Sequence, residues 1–402
     1  MTATDTLDAD RALRDGMVDR ILDTNPDIDA SVAEAMRAVP RHRFAPEAPL
    51  EECYDGTRAV VTKRDDDGRM LSSVSAPWLV AHMLTHAGVE PGSTVLEIGA
   101  GQGYQAALLC ELVGPNGHVI TVDIDGDLCR TAQRNLSALG YANTATVVEA
   151  DGAEQLLDDG TVDAVIVATG AWDLSPAWED QLKPGGRLVT PLTLRGMWRG
   201  MTLEKADDGF ACADWRQYGF IRMRGLLGQE RDVADESLPV DVAVDPDHPG
   251  TADELRAAME DRDPVVVATG VRDGRSDPAI VNLWDRIGFH EPETVRVTRF
   301  RRSAFPLPPV HLMAPALWEG SSFAYVGAEM LDDGAALSAV AFGPEKDALA
   351  ERLRRHVENW GRDKGFAPRI AVRRNGGPLP SGLAVVQKTR YRVESDWSAA
   401  GR

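Results

Sequence analysis

The chain has 402 residues, of which 43% are apolar and 26% are charged, and its formal net charge is −20 at pH 7. This size and composition exclude a peptide, a fibrous protein and a disordered chain, and they predict a soluble globular protein of two or three domains. The acidic balance disfavours nucleic acid and anionic membranes as partners. The four cysteines form no CxxC pair, and no segment resembles a secretion signal or a membrane span, so we expect a cytoplasmic protein.

The first part of the chain predicts helices followed by a loop. Val32, Met36 and Val39 have helical spacing, and residues up to about 48 are predicted to form amphipathic helices. Residues 53–73 show no periodicity, and the charged run 63–68 predicts a solvated loop tip. We assign 1–72 to an N-terminal helical and loop segment of the lobe that follows.

The next part alternates between helix and strand. Helices are predicted to begin at Pro77 and near Tyr104, and a Lys183-Pro184-Gly185-Gly186 turn precedes the last predicted strand. Alternation at this spacing is typical of βαβ crossovers and a parallel sheet, so we expect a doubly wound α/β domain over 73–225. The predicted strands are 94–98, 118–124, 146–149, 163–168 and 187–192, and a hairpin over 200–216 closes the domain.

Residues 226–402 predict a separate C-terminal α+β domain. Thr251 and Glu254 have the spacing of a capping box, and a hairpin is predicted around Asp332-Asp333-Gly334. One helix is predicted to bury a stripe formed by Leu349, Leu353, Val357 and Trp360.

A glycine-rich turn joins the first predicted strand to the next helix. Gly99, Gly101 and Gly103 stand where the backbone must turn sharply or let a ligand approach closely. Asp123 ends the following strand, at the distance from the glycines where an acid accepts ribose hydroxyls. The pattern therefore predicts a bound nucleoside.

The neighbouring residues favour S-adenosylmethionine over a dinucleotide. Tyr104 replaces the further glycine of a dinucleotide fingerprint, Glu97 adds an acid suited to a cationic ligand, and Asp151 is placed to accept from an adenine amino group. The candidate cofactor-binding residues are Glu97, Gly99, Ala100, Gly101, Gln102, Gly103, Asp123, Ile124, Asp151 and Gly152.

Several motifs resemble the protein-L-isoaspartate O-methyltransferase family over roughly the first 225 residues. They are Val39-Pro40-Arg41 with Phe44 and Pro46, Tyr54, Val74-Ser75-Ala76-Pro77, the glycine turn, Asp123, Asp151-Gly152 and the run 181–187. The resemblance implies a class I S-adenosylmethionine-dependent methyltransferase with a Rossmann-like sheet. It also implies that Ser75 is the active-site hydroxyl, with Ser73 beside it. A carboxylate acceptor is already ionised at neutral pH, so this chemistry needs no general base.

Two departures from the family leave the substrate open. The chain has Ser72-Ser73-Val74-Ser75 where the family usually has a Gln-Thr pair before Ile-Ser, and a long second domain follows. That extension resembles the extended homologues that accompany ribosomally made, modified peptides. The leading hypothesis is therefore methylation of an aspartyl side chain in a precursor peptide, leading to aspartimide or isoaspartate, with 226–402 engaging the peptide. The alternatives are repair of isoaspartyl-containing proteins and a non-catalytic cofactor-binding module.

No metal site is expected. His82 and His86 have the i, i+4 spacing of a zinc pair, but Met83 replaces the glutamate of a metalloprotease motif. We interpret the pair as structural.

Overall fold

The computed structural model describes residues 3–228, 231–233, 237–274, 280–301, 305–310, 314–364 and 366–398. The chain forms two compact units, which consist of 1–192 with 199–228 and of 193–198 with 229–402. The boundary near 228 lies close to the predicted one at 225, whereas the inclusion of 193–198 in the second unit was not predicted. Within the described ranges, no helix is both long and apolar enough to cross a bilayer.

The first unit begins with helices and a small hairpin. Its elements are α1 (Ala3–Thr24), α2 (Ala30–Ala38), a 3-10 turn (Arg41–Phe44), α3 (Leu50–Cys53), β1 (Val60–Arg64) and β2 (Met70–Val74). β1 and β2 pair antiparallel, with Val60 opposite Val74. The prediction of a loop over 53–73 is therefore wrong, because these strands are only five residues long and their charged turn hides the alternation.

The alternating part of the first unit follows the predicted order. Its elements are α4 (Pro77–Ala87), β3 (Thr94–Ile98), α5 (Tyr104–Val113), β4 (His118–Asp123), α6 (Gly126–Ala138), β5 (Ala145–Glu149), β6 (Val162–Val167), α7 (Pro176–Gln181), β7 (Leu182–Leu194), β8 (Met197–Ala206) and β9 (Gly209–Arg216). α4 begins with Pro77, and Gly88, which follows its last residue, adopts φ +63°. Proline at the start and glycine past the end fit the different backbone demands of the two termini.

The strands of this unit form one sheet in the order β9-β8-β7-β6-β3-β4-β5. β3 pairs parallel with β4 on one side and with β6 on the other. The chain direction across the sheet reverses at β3, and a doubly wound sheet opens a crevice at the carboxyl ends of its strands at such a point. The central strands are buried on both faces, as a parallel sheet covered by helices requires.

The second unit is an α+β structure. Its elements are β10 (Arg231–Val233), β11 (Val240–Val244), α8 (Ala252–Met259), β12 (Val265–Gly274), α9 (Ile280–His290), β13 (Thr294–Phe300), β14 (Pro315–Glu319), β15 (Ser322–Leu331), β16 (Gly334–Phe342), α10 (Lys346–Arg362), β17 (Arg369–Arg374), β18 (Ala384–Gln387) and β19 (Tyr391–Asp396).

An antiparallel sheet with the order β10-β11-β13-β14-β15-β16-β12 organises this unit, and β18-β19-β17 pair in that order. The predicted capping box is present, because Thr251 accepts from the Glu254 backbone while the Glu254 side chain accepts from the Thr251 backbone. The predicted stripe on α10 is buried, and its residues join a hydrophobic core with β12, β15 and β16.

Candidate active site

A cleft opens at the carboxyl ends of β3, β4 and β6, where the sheet reverses direction. Its lining comes from the hairpin strand β2, the ends of these strands and the segment 220–224. The lining residues are Leu71, Ser72, Ser73, Ser75, Ile98, Gly99, Gly101, Val122, Asp123, Ile124, Leu128, Gly152, Ala168, Thr169, Phe220, Ile221, Arg222, Met223 and Arg224.

The glycine turn adopts backbone angles that side-chain-bearing residues avoid. Gly99 has φ +96° and Gly101 has φ +51°. A Cβ on Gly99 would lie 2.8 Å from Thr169 Cγ2, and a Cβ on Gly101 would lie 3.4 Å from Ser72 Oγ. The missing side chains therefore leave a cradle of bare backbone against the cleft.

Asp123 fixes this cradle from the end of β4. Its Oδ2 accepts from the Gly101 backbone N–H at 3.0 Å, and its Oδ1 accepts from the Asp125 backbone N–H at 3.1 Å. Burial raises the pKa of the carboxyl, although these two hydrogen bonds and Arg224 act in the opposite direction. A carboxylate has about four acceptor positions, so both oxygens retain room for a ligand hydroxyl.

Ser73 and Ser75 reach the same cleft from the β2 side. Ser73 belongs to β2 and faces outward while its neighbours Ser72 and Val74 are buried, as the alternation of a strand requires. Arg41 holds this segment, because its fully buried guanidinium donates to the carbonyl of Val74 at 3.1 Å.

Arg41 also ties this strand to its surroundings. Its Nε donates to the carbonyl of Cys53 at 2.8 Å, and the guanidinium carbon lies 4.9 Å from the centre of the Tyr104 ring. The Val39-Pro40-Arg41 motif thus has a positioning role for the serine segment.

Glu97 lies outside the cleft lining. It is fully buried in β3, and its Oε2 accepts from the Thr121 hydroxyl at 2.5 Å. Burial raises the pKa of Glu97 to about 8, so the side chain is protonated at neutral pH. Glu97 thus lies buried beneath the glycine turn, and its predicted contact with a cationic ligand stays a prediction.

Other candidate residues also serve local structure rather than the lining. Gly103 caps α5, and a Cβ there would lie 3.3 Å from Ala132 of α6, so helix packing explains this glycine. Ala100 is buried, and the Gln102 carbonyl accepts from the Asn135 side chain at 3.0 Å. The corresponding ligand contacts of Ala100, Gln102 and Gly103 stay predictions.

Asp151 holds the turn that follows the cleft. Its oxygens accept from the backbone N–H groups of Ala153 at 3.0 Å and Leu226 at 2.9 Å. The adjacent Gly152 does line the cleft, whereas the adenine contact of Asp151 stays a prediction.

Two parts of the lining were missed by the sequence analysis. Thr169 follows β6, and its buried Oγ1 has no hydrogen-bond partner, which is unusual for a hydroxyl shielded from water. The segment 220–224 covers one side of the cleft, and Arg224 lies 3.4 Å from Asp125 and 3.7 Å from Asp123. Thr169 could have been found from its place at a strand end, but nothing local marks 220–224.

Comparison with known proteins identifies the family. The family model described as protein-L-isoaspartate(D-aspartate) O-methyltransferase matches residues 16–223. A protein-L-isoaspartate O-methyltransferase from Methanopyrus kandleri is 35% identical over 220 residues, which are 55% of this chain and 93% of that protein. One from Hyperthermus butylicus is 34% identical over 206 residues, which are 50% of this chain and 83% of its own. The chain belongs to the protein-L-isoaspartate O-methyltransferase family. The predicted methyltransferase with S-adenosylmethionine as cofactor is thereby confirmed.

A solved structure extends the likeness beyond the family domain. A protein-L-isoaspartate O-methyltransferase aligns with 90% of this chain and 97% of its own, with a TM-score of 0.51 and 21% identity. At this identity the likeness concerns the fold alone, and it confirms the predicted class I methyltransferase fold. Because the aligned share is larger than the first unit, the match includes residues of the second unit.

The cleft of this methyltransferase fits its cofactor in shape and chemistry. The bare backbone at Gly99 and Gly101 leaves space for a ligand, Asp123 retains acceptor positions, and Thr169 has an unused buried hydroxyl. The exposed Ile124 side chain adds an apolar surface next to Asp123.

Proposed function

We propose that this chain methylates the side-chain carboxylate of L-isoaspartyl residues in peptides and proteins. The observation that carries the proposal is the meeting of the glycine turn, Asp123, Ser73 and Ser75 around one cleft. The first two supply a nucleoside site and the serines supply hydroxyls for an acceptor carboxylate.

The cofactor would lie on the cradle formed by Gly99 and Gly101. Asp123 would accept from its ribose hydroxyls, and Ile124 and Gly152 would flank its base. When bound, S-adenosylmethionine supplies a methyl group activated by a sulfonium. The protein then has to fix the position of the acceptor and exclude water.

The acceptor would lie beside Ser75. The bound cofactor would supply the methyl group, and the acceptor carboxylate held beside Ser75 would become a methyl ester while S-adenosylhomocysteine is released. The carboxylate is ionised before it arrives, so the serine hydroxyl is needed for orientation and not for proton removal. Alignment of this kind lowers a reaction barrier by about 7–11 kcal/mol at best.

The family match supports an isoaspartyl acceptor over a dedicated precursor peptide. The precursor hypothesis depended in part on the long second domain, which departs from the family pattern and resembles the extension of homologues that accompany modified peptides. A solved protein with that name, however, aligns with 90% of this chain. The run Ser72-Ser73-Val74-Ser75, which departs from the family pattern, still favours a different acceptor.

A matched pair of peptides tests the proposal. The full chain is incubated with methyl-labelled S-adenosylmethionine and one of two peptides that are identical except for L-isoaspartate or L-aspartate at one position. Mass spectrometry then detects the added methyl group. We expect the isoaspartyl peptide to be methylated and its aspartyl twin to remain unchanged.

Each other outcome has a defined meaning. Equal methylation of both peptides, or methylation of the aspartyl peptide alone, would overturn the isoaspartyl proposal and support the precursor hypothesis. Cofactor binding without transfer to either peptide would indicate a non-catalytic binding module.

We also propose that the protein acts in the cytoplasm. All four cysteines are free, and Cys53, Cys110 and Cys129 are buried. Free thiols persist in a reducing compartment.

A further inference from the structure

Two histidines of α4 meet two aspartates on the first unit, and none of the four lines the methyl-transfer cleft. His82 and His86 lie one turn apart on the helix, Asp27 lies in the turn between α1 and α2, and Asp214 belongs to β9. Within the described part of the chain, Asp27, His82 and His86 are the one group of at least three potential metal ligands whose donor atoms lie within 4.8 Å of one another.

The histidines carry unsatisfied polar atoms into this cluster. Their ring centres are 4.2 Å apart, His82 is only 2% exposed, and the Nε2 atoms of both rings are buried without a hydrogen-bond partner. A buried polar atom left without a partner costs about 1–3 kcal/mol. Two such atoms at one place point to a group that would satisfy both.

The carboxylates face these nitrogen atoms at distances a metal ion could bridge. His82 Nε2 lies 3.3 Å from Asp214 Oδ2, without the geometry of a hydrogen bond. His86 Nε2 lies 3.9 Å from Asp27 Oδ2. Donor atoms around a tetrahedral zinc ion lie about 3.4 Å apart, since each is about 2.0–2.2 Å from the metal. Asp27 is exposed in a turn, so its side chain can approach the histidines. Asp214 lies outside the group of three whose donor atoms are within 4.8 Å of one another, so its carboxylate also has to move.

Arg216 is the cation that now holds both carboxylates. Its guanidinium lies 2.9 Å from Asp27 Oδ2 and 3.2 Å from Asp214 Oδ2. The side chain is 43% exposed, so it can swing into solvent when another cation takes its place. The arginine does not satisfy the histidine nitrogens, because neither Nε2 atom has a hydrogen-bond partner.

We propose that His82, His86, Asp27 and Asp214 bind a zinc ion, and that Arg216 releases the two aspartates when the ion enters. Two imidazoles and two carboxylates form a ligand set that zinc accepts. The ion would join the α1–α2 turn, α4 and β9 as a structural clip. The sequence analysis interpreted the histidine pair as structural because Met83 replaces the glutamate of a metalloprotease motif. The fold brings two carboxylates to the pair from distant positions in the chain.

Metal binding to the full chain tests this proposal directly. The protein is treated with a chelator, dialysed, and titrated with ZnCl2 or CoCl2, and the bound metal is quantified. We expect one zinc equivalent, a cobalt spectrum typical of tetrahedral coordination, and a rise in melting temperature on zinc addition. The His86→Gln variant should lose at least about tenfold in affinity, since it removes one ligand. His118→Gln removes a histidine on β4 outside the cluster and should bind as the natural protein does.

Arg216→Met sharpens the test, because a zinc site and an ion-pair cluster without a metal predict different results for this variant. The zinc site predicts tighter zinc binding, whereas the ion-pair cluster predicts no zinc binding. If zinc and Arg216 compete for the aspartates, removal of the guanidinium should raise zinc affinity by about tenfold. Circular dichroism of each variant checks that it is folded. Failure of both the natural protein and Arg216→Met to retain zinc, or equal affinity of His86→Gln and His118→Gln, would overturn the proposal.

Discussion

The two units shift the pKa of a buried glutamate in opposite directions. In the first unit, Glu97 lies beneath the glycine turn and accepts from the Thr121 hydroxyl, and burial raises its pKa to about 8 although Thr121 and Gln105 act in the opposite direction. In the second unit, burial of Glu291 is outweighed by hydrogen bonds from His356 and Arg352, and its pKa falls to about 2. Arg352 also pairs with Glu293 and Glu319.

The contrast separates a region built for a ligand from one built for its own stability. Around the cleft, Thr169 has no hydrogen-bond partner and Asp123 keeps acceptor positions free. Around Glu291, the carboxylates of Glu291, Glu293 and Glu319 all pair with the Arg352 guanidinium. Buried polar groups that are not matched internally are typical of binding sites, and we therefore assign the chemistry to the first unit.

The largest expected effect comes from the glycine cradle. Gly99→Ala would force a side chain into φ +96° and bring its Cβ to 2.8 Å from Thr169. We expect affinity for S-adenosylhomocysteine, measured by calorimetry, to fall on the order of a hundredfold. Gly92→Ala is the matched control, because Gly92 has φ +91° but nothing within 4 Å of the added carbon. If the control weakened binding equally, general backbone strain and not the cradle would explain the effect.

The next largest expected effect is on turnover of the acceptor peptide, after removal of the Ser75 hydroxyl. Ser75→Ala should lower kcat/KM for the isoaspartyl peptide by about 10- to 100-fold, since a hydrogen bond to a charged group contributes about 1.5–3 kcal/mol. Affinity for S-adenosylhomocysteine should stay within about twofold of the natural value. Ser137→Ala, on the exposed surface of α6, serves as the control. An unchanged kcat/KM in Ser75→Ala would contradict the assigned role.

Glu97 gives a prediction about pH and stability. Because its pKa is raised on folding, the folded state retains a proton between the ordinary value of 4.5 and about pH 8, where the unfolded state loses it. Stability should therefore fall as pH rises through this window, by at most about 1.4 kcal/mol per pH unit. Glu97→Gln should flatten that dependence in urea unfolding. The same slope in both proteins would mean that Glu97 does not hold the proton.

Glu291 should show the opposite pH dependence with a smaller effect. Its lowered pKa means that its stabilising contribution is complete above pH 4.5 and is lost as pH falls toward about 2. Glu291→Gln should cost about 1–2 kcal/mol at pH 7, and the difference from the natural protein should shrink in acid. Unfolding curves at pH 7 and pH 3 test this, and a constant difference would contradict it.

The sequence predicted best what depends on local patterns. The alternation of strands and helices, the proline and glycine at the ends of α4 and the Thr251–Glu254 capping box are all local, and all are present. The same holds for the glycine turn, since its φ values follow from the residue type.

What the sequence missed depends on long-range contacts. Residues 220–224 line the cleft only because the fold brings them there. The hairpin β1–β2 is stabilised by pairing between its strands, and strands this short show no clear pattern in the sequence. Likewise, whether Glu97 is a free carboxylate or a buried neutral acid depends on what covers it, which a single sequence does not encode locally.

Calorimetric titration with S-adenosylhomocysteine tests the central claim most directly. The account predicts that the natural chain binds one equivalent and that Asp123→Asn weakens binding by at least about tenfold, because it removes the charge that accepts the ligand hydroxyls. Asp127→Asn, an exposed acid four residues away, should bind as the natural chain does. Absence of binding to the natural chain, or equal binding by the two variants, would contradict the account.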